Sequence, residues 1–282
     1  MSDLHSINEA INKRAGRKLL PSILVSVTLL LVVFGTLKIH AGIFTALVVL
    51  AVALAIRELN HGFKLANIVI PEYFLQVAAL AVVISAYFGK VSGLAVAVAI
   101  VIPNLLVFLL ALAPADFIKR VSASTLAIFY IPFLAGFIVL LAHDKNGMAR
   151  IVTLVVLVAC NDTFAYIFGV LFGKHRLAPH ISPKKTWEGL IGSLVATTIA
   201  ASLVFHYGVH KHWWLGLLIG LMGVATATAG DLIESALKRD LNIKDMGSLL
   251  PGHGGVLDRI DSVLFTAPAV WFVLELIKHF SL

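Results

Sequence analysis

A chain of 282 residues that is 60% apolar and only 13% charged is not a water-soluble domain, since soluble domains carry about 25% charged residues. The net charge of +7 would suit a nucleic-acid partner, but the placement of the cations follows a membrane, so no nucleic acid is expected. The lone Cys160 excludes an internal disulfide and reads as core packing.

Taken in chain order, residues 1–18 carry Lys13, Arg14, Arg17 and Lys18 and predict a cytoplasmic N-terminal segment. Nine apolar runs follow, at 19–37, 41–56, 73–89, 92–112, 122–142, 149–172, 190–206, 212–230 and 262–280. A crossing helix needs about 20 residues, so 41–56 is the marginal one. The first run lacks a small-residue cleavage pattern and reads as a retained span. No run alternates with period two, which leaves helices as the spanning structure. The predicted fold is all-α, a polytopic integral membrane protein of about nine transmembrane helices with its active site at the cytoplasmic face. Pro103 and Pro132 predict kinks inside the fourth and fifth runs. Gly216, Gly220 and Gly223 form a small-residue face on the eighth, which suits either internal packing or a dimer contact.

Alternating sides from a cytoplasmic N-terminus puts the basic residues of 13–18, 57–64, 119–120, 174–185 and 238–259 inside. That leaves only Lys38, Lys90, Lys145, Arg150, Lys211 and Lys278, six of the 22, outside. The bias fits the positive-inside rule, places the C-terminus outside, and suits anionic lipid at the inner surface. The chain divides by texture into the segment 1–18, five scaffold spans over 19–148, and four catalytic spans over 149–282. The last part carries cytoplasmic stretches at 173–189 and 231–261, all as one structural unit. Asn60, His61 and Lys64 read as one loop of the scaffold, Asp116, Lys119 and Arg120 as another.

The stretch 231–261 holds most of the chemistry. On a helix, Asp231, Glu234, Ser235 and Lys238 share one face. Pro251-Gly252-His253-Gly254-Gly255 is a turn whose backbone N–H groups can approach an anion. Asp258 and Asp261 flank Arg259 in the first turn of the last span. Carboxylates beside cations and a glycine turn can hold Mg²⁺ and phosphate together. Upstream, Asp162 lies well inside the sixth run and needs a polar cavity, a metal or a cation. Ser182-Pro183 reads as an N-cap with proline at N1, which would set Lys184, Lys185 and Glu188 on the first turns of the seventh helix.

The spacing Ser235-x-Leu237-Lys238-Arg239-x4-Lys244-Asp245-x-Gly247-x2-Leu250-Pro251-x-His253-Gly254-Gly255-Val256-x-Asp258-Arg259-Ile260-Asp261 resembles the signature of the phosphatidate cytidylyltransferases, or CDP-diglyceride synthases, without a departure. Asn161-Asp162-Thr163, Gly169, Gly173-Lys174 and Ile181-Ser182-Pro183-Lys184-Lys185-Thr186-Trp187-Glu188-Gly189 resemble the family's other blocks. The resemblance implies cytidylyl transfer from CTP to phosphatidic acid, giving CDP-diacylglycerol and pyrophosphate for phospholipid synthesis. It also implies a bacterial inner membrane and a homodimer.

The site expected on this reading has Asp231 and Asp258 as main Mg²⁺ ligands, a second metal ion being left open, with Asp261 and Asp162 in support. Lys238, Arg239, Lys244 and Arg259 are expected to bind phosphates, and Asp245 to orient Lys244 or a metal-bound water. His253, as a donor, would line the phosphate pocket with Gly254 and Gly255, while Asn161, Ser182, Lys184, Lys185 and Ser235 would contact substrate. Two rivals stay open: a CTP-dependent polyprenol or lipid kinase, told apart by releasing CDP, and a secondary transporter, told apart by flux. A cytidylyltransferase for another phospholipid-like acceptor is a variant of the first reading.

Overall fold

The computed structural model describes residues 19–112, 115–209, 211–249 and 254–280; the basic N-terminal segment and His253 lie outside them. Among the described residues, eight helices and one short hairpin follow in order. They are α1 (Leu19–Ile39), α2 (Ala41–Leu65), α3 (Glu72–Leu112), α4 (Phe117–Ala142) and α5 (Gly147–Phe172). Then come β1 (Arg176–Ala178), β2 (Ser182–Thr186), α6 (Trp187–Gly208), α7 (Trp213–Asp240) and α8 (Leu257–His279). Among the described residues, the seven helices α2 to α8 are long and apolar enough to cross a membrane. The protein is an all-α integral membrane protein, its two-stranded hairpin being the exception.

The apolar surface explains why this helix set needs lipid. Val77, Phe88, Val107, Ile118 and Val170 all stand exposed on the outside of the helices. In water an apolar surface of that extent marks an interaction or aggregation site; against acyl chains it is solvated.

At 41 residues, α3 would run about 60 Å if straight, twice the hydrocarbon thickness. It does not run straight. Lys90 leaves helical geometry at φ 53° and ψ −142°, and Phe74 stacks on Phe108 with ring centroids 5.1 Å apart. Residues from opposite ends meet only if the arms fold back on one another at Lys90, so the predicted runs 73–89 and 92–112 are two antiparallel arms. The left-handed φ of a non-glycine residue is the cost of that reversal.

Three sequence expectations change here. The apolar run 41–56 continues as helix to Leu65, so Asn60, His61 and Lys64 are helical and not a loop, and Lys119 and Arg120 likewise lie in the first turn of α4. Asn60 and Lys64 donate to the Glu72 carboxylate at the start of α3, which satisfies the polar groups at that helix junction. Ser182 does not cap α6 either. It begins β2, which pairs antiparallel with β1, and the cap is Thr186, whose hydroxyl accepts the Gly189 N–H at 3.1 Å. Pro132 sits in a π-turn at Phe129–Phe133, a wider turn that accommodates its missing N–H.

The glycine face of α7 packs internally. A Cβ on Gly216 would lie 2.3 Å from the Ser202 Cα, and one on Gly220 2.7 Å from the Thr198 Cα, so α6 backbone fills the space. Gly223 faces Leu157 of α5 in the same way. The four helices α5 to α8 pack closely on one another, and Asp231 and Asp261 lie on two of them.

Candidate functional site

Two helices carry the site, and a small residue lets them touch. A Cβ on Gly230 would lie 2.8 Å from the Asp261 carbonyl oxygen and 2.9 Å from the Phe265 Cβ. The Ser262 hydroxyl donates to the Ala227 carbonyl at 3.1 Å across the same contact. Backbones this close bring the next residue, Asp231, toward Asp261. Glu234 lies one turn along α7, on the face that the i, i+3 spacing gives. One carboxylate oxygen from each of Asp231, Glu234 and Asp261 lies within 4.8 Å of the others.

Three carboxylates gathered in this way repel one another unless a cation joins them. Glu234 and Asp261 are buried. The Glu234 Oε1 is buried without a hydrogen-bond partner among the described residues, a state that is expensive for a polar atom in a low-dielectric interior. Oxygen-only donors from acidic side chains are the set preferred by a hard divalent ion such as Mg²⁺. The residues present therefore fit such an ion.

Cations border this group. Lys238 pairs with Glu234 and with the Asp258 Oδ1, the second contact at 2.9 Å. Lys185 pairs with Asp231 at 2.7 Å, which links β2 to α7. The Ser235 hydroxyl donates to the Asp231 Oδ1 at 3.3 Å. Together, Asp162, Asp231, Glu234, Lys238, Asp245, Asp258, Arg259, Asp261 and Ser262 line a cavity of about 230 Å³, room for an ion with several waters or phosphate oxygens.

Asp258 has a different setting from the one expected beside Asp231. Its Oδ2 accepts the Gly255 N–H at 2.7 Å and the Met246 N–H at 3.0 Å, while its Oδ1 takes Lys238. It lines the cavity but stands outside the three-carboxylate group, and it holds the backbone of Met246 and of Gly255. Gly254 adopts φ +80°, and a Cβ there would meet the Asp258 Oδ2 at 2.8 Å, so glycine is required twice over.

The remaining expected residues divide between the cavity and its supports. Asp162, Asp245 and Arg259 reach the cavity wall. Asn161 is buried and serves its neighbours, accepting from the Ser193 hydroxyl at 3.1 Å and donating to Asp162 at 3.3 Å. The Arg239 Nε donates to the Ile181 carbonyl at 3.2 Å, tying the end of α7 to the hairpin outside the cavity. Lys184 on β2 and Lys244 beyond α7 are exposed. Gly255 is buried behind the cavity.

Two residues were not singled out from sequence. Glu234 was visible as a member of the α7 face with Asp231, yet nothing in that spacing says which acid turns inward. Glu58 of α2 accepts the Val256 N–H and the Leu257 N–H, both at 2.9 Å. Its only sequence signal is a carboxylate inside the extended second apolar run.

Known proteins resemble this chain over most of its length. A model of the cytidylyltransferase family matches residues 21–277. A protein of Mycobacterium bovis named phosphatidate cytidylyltransferase is 36% identical over 277 residues, covering 94% of this chain and 90% of that protein. A Mycobacterium tuberculosis protein of the same name is also 36% identical, with 94% and 84% covered. One from Mycobacterium leprae is 45% identical over 163 residues, 58% of this chain and 52% of that protein. The family match reaches the first five spans, where the sequence motifs offered no specific likeness.

Proposed function

Because this chain belongs to the cytidylyltransferase family, we propose that it transfers the cytidylyl group of CTP to phosphatidic acid, releasing CDP-diacylglycerol and pyrophosphate. The observation that carries this reading is the meeting of Asp231, Glu234 and Asp261 beside Lys238 and Arg259 in one cavity between membrane helices. Those three carboxylates would hold Mg²⁺. Once bound, the ion would neutralise phosphate charge as a Lewis acid.

A phosphate oxygen of phosphatidic acid attacks the α-phosphorus of CTP, and the bond to the β-phosphate bridge breaks, so pyrophosphate leaves with the electron pair. The phosphate monoester is already an anionic nucleophile, so no covalent enzyme intermediate and no side-chain nucleophile is required. The obstacle is the meeting of two anions, which makes charge neutralisation and positioning the main catalytic tasks. Lys238 and Arg259 meet phosphate oxygens at the cavity wall. Lys185 holds Asp231 in place from β2. Lys184 and Lys244, exposed beside the site, attract the triphosphate and anionic headgroups from the water side.

The spans number nine in this reading, counting α1 and both arms of α3, with the fold-back at Lys90 as support. The N-terminus is then cytoplasmic and the C-terminus outside, and the site opens to the inner leaflet of the bacterial inner membrane. Lipid tails stay in hydrocarbon while CTP enters from water. A homodimer, if formed, uses a surface other than the α7 glycine face, which α5 and α6 already fill.

The test is to incubate purified protein with phosphatidic acid, CTP labelled at the α-phosphate, and Mg²⁺. Label entering lipid with equimolar pyrophosphate is expected. Release of CDP with no nucleotide in the lipid would assign a kinase instead, and neither product would remove the transfer reading.

A further inference from the structure

The start of α8 is held from a helix that the sequence assigns to the scaffold. Each oxygen of the Glu58 carboxylate on α2 takes one backbone N–H: Oε1 that of Val256 and Oε2 that of Leu257, both at 2.9 Å. These amides open α8, where the N-terminal N–H groups have no partner within the helix. Glu58 is thus a cap supplied from 198 positions away in the chain.

The same carboxylate is packed between two glycines. A Cβ on Gly247 would lie 2.5 Å from the Glu58 Oε1, and one on Gly255 2.5 Å from the Glu58 Oε2. Both distances are shorter than real Cβ contacts, and the carboxylate could move aside only by giving up its hydrogen bonds to residues 256 and 257. Gly255 also donates its N–H to Asp258 at 2.7 Å. The backbone at 246–247 and at 255–257 is therefore held by two carboxylates, Glu58 packed against Gly247 and Gly255 and Asp258 accepting from Met246 and Gly255. Asp258 borders Lys238, and one turn on in α8 is Asp261 of the acidic group.

We infer that Glu58 is a positioning residue for the site: it fixes the start of α8, and with it the aim of Asp258 and Asp261, without touching substrate. It accounts for two glycines of the 235–261 pattern by a residue outside that pattern. The inference rests on the proposed cytidylyl transfer for its kinetic readout, and on the amides alone for its structural one.

The test compares wild type with Glu58→Gln, Glu58→Ala, Gly255→Ala and the double variant Glu58→Ala/Gly255→Ala, each full length in lipid nanodiscs. An amide side chain accepts through one oxygen only, so Glu58→Gln releases one backbone N–H. Hydrogen exchange at 256–257 is expected to quicken while α5 and α6 keep their protection. Turnover is expected to fall about 10- to 100-fold, as for partners that orient a metal's ligands, with a raised Mg²⁺ half-saturation and a CTP KM within about threefold of wild type. A merely destabilised protein would lose active fraction without moving Mg²⁺ half-saturation. Gly255→Ala is expected to be severe in the wild type and to add little to Glu58→Ala, because the atom it strikes is gone. Should Glu58→Gln fail to fold, Glu58→Asp, whose carboxylate is set back by one methylene, is expected to quicken the same two amides. Unchanged exchange at 256–257 or additive losses would overturn the inference. If wild type makes no CDP-lipid, the transfer reading falls, while the exchange data still judge the grip of Glu58.

Discussion

The two ends of α8 both carry charge, and they differ in how that charge is balanced. At the C-terminal end, Arg150 is buried and pairs with Asp144 at 3.1 Å and Glu275 at 2.8 Å, while Lys278 meets Asp144 at 3.3 Å. Two acids face two cations, and the set is closed. Burial pushes the Asp144 carboxyl up, but the Asn146 N–H, Arg150 and Lys278 outweigh it and hold it below its ordinary range. At the N-terminal end, among the described residues, Asp162, Asp231, Glu234, Asp245, Asp258 and Asp261 line one cavity against Lys238 and Arg259, with Lys185 reaching Asp231 from beside it, so six acids face three cations. A balanced network fastens a helix end. A surplus of buried carboxylate with an unpartnered oxygen is stable only if something positive arrives from outside.

The contrast breaks most sharply under mutation. Asp261→Asn removes one member of the acidic group and is expected to lower CDP-lipid formation by more than about 100-fold, beyond the loss of an outer partner, with little change in the thermal unfolding of the protein in micelles. Radiolabel incorporation and an unfolding curve read both quantities. Arg150→Met should do the reverse. It leaves Asp144 and Glu275 with Lys278 alone, and stability is expected to fall by about 3 kcal/mol, while the folded fraction keeps near-native turnover. Equal effects of the two variants on turnover would erase the distinction between the ends.

Much of this was legible in the sequence because hydropathy and spacing are local properties. The apolar runs, the helical face shared by Asp231 and Lys238, and the acids opening the last helix all follow from neighbours a few residues apart. Where tertiary partners decide, the sequence was silent or misleading. Ser182-Pro183 carries the composition of a helix cap, yet strand pairing with Arg176–Ala178 claims it and moves the cap to Thr186. Asp258 looked like the natural companion of Asp231, but backbone amides of residues 246 and 255 and Lys238 take its oxygens. Glu234 turns toward Asp231 and Asp261, where Gly230 lets α8 close against that side of α7. Glu58 meets its partners across almost two hundred residues, and no periodicity reports such a contact.

Whether α7 and α8 together hold a divalent ion is read from Mn²⁺ binding to the purified protein in nanodiscs, followed by electron paramagnetic resonance. Saturable binding that Mg²⁺ displaces, and that weakens at least about tenfold in both Glu234→Gln and Asp231→Asn, is the expected result. Wild-type Mn²⁺ affinity in both variants would contradict it.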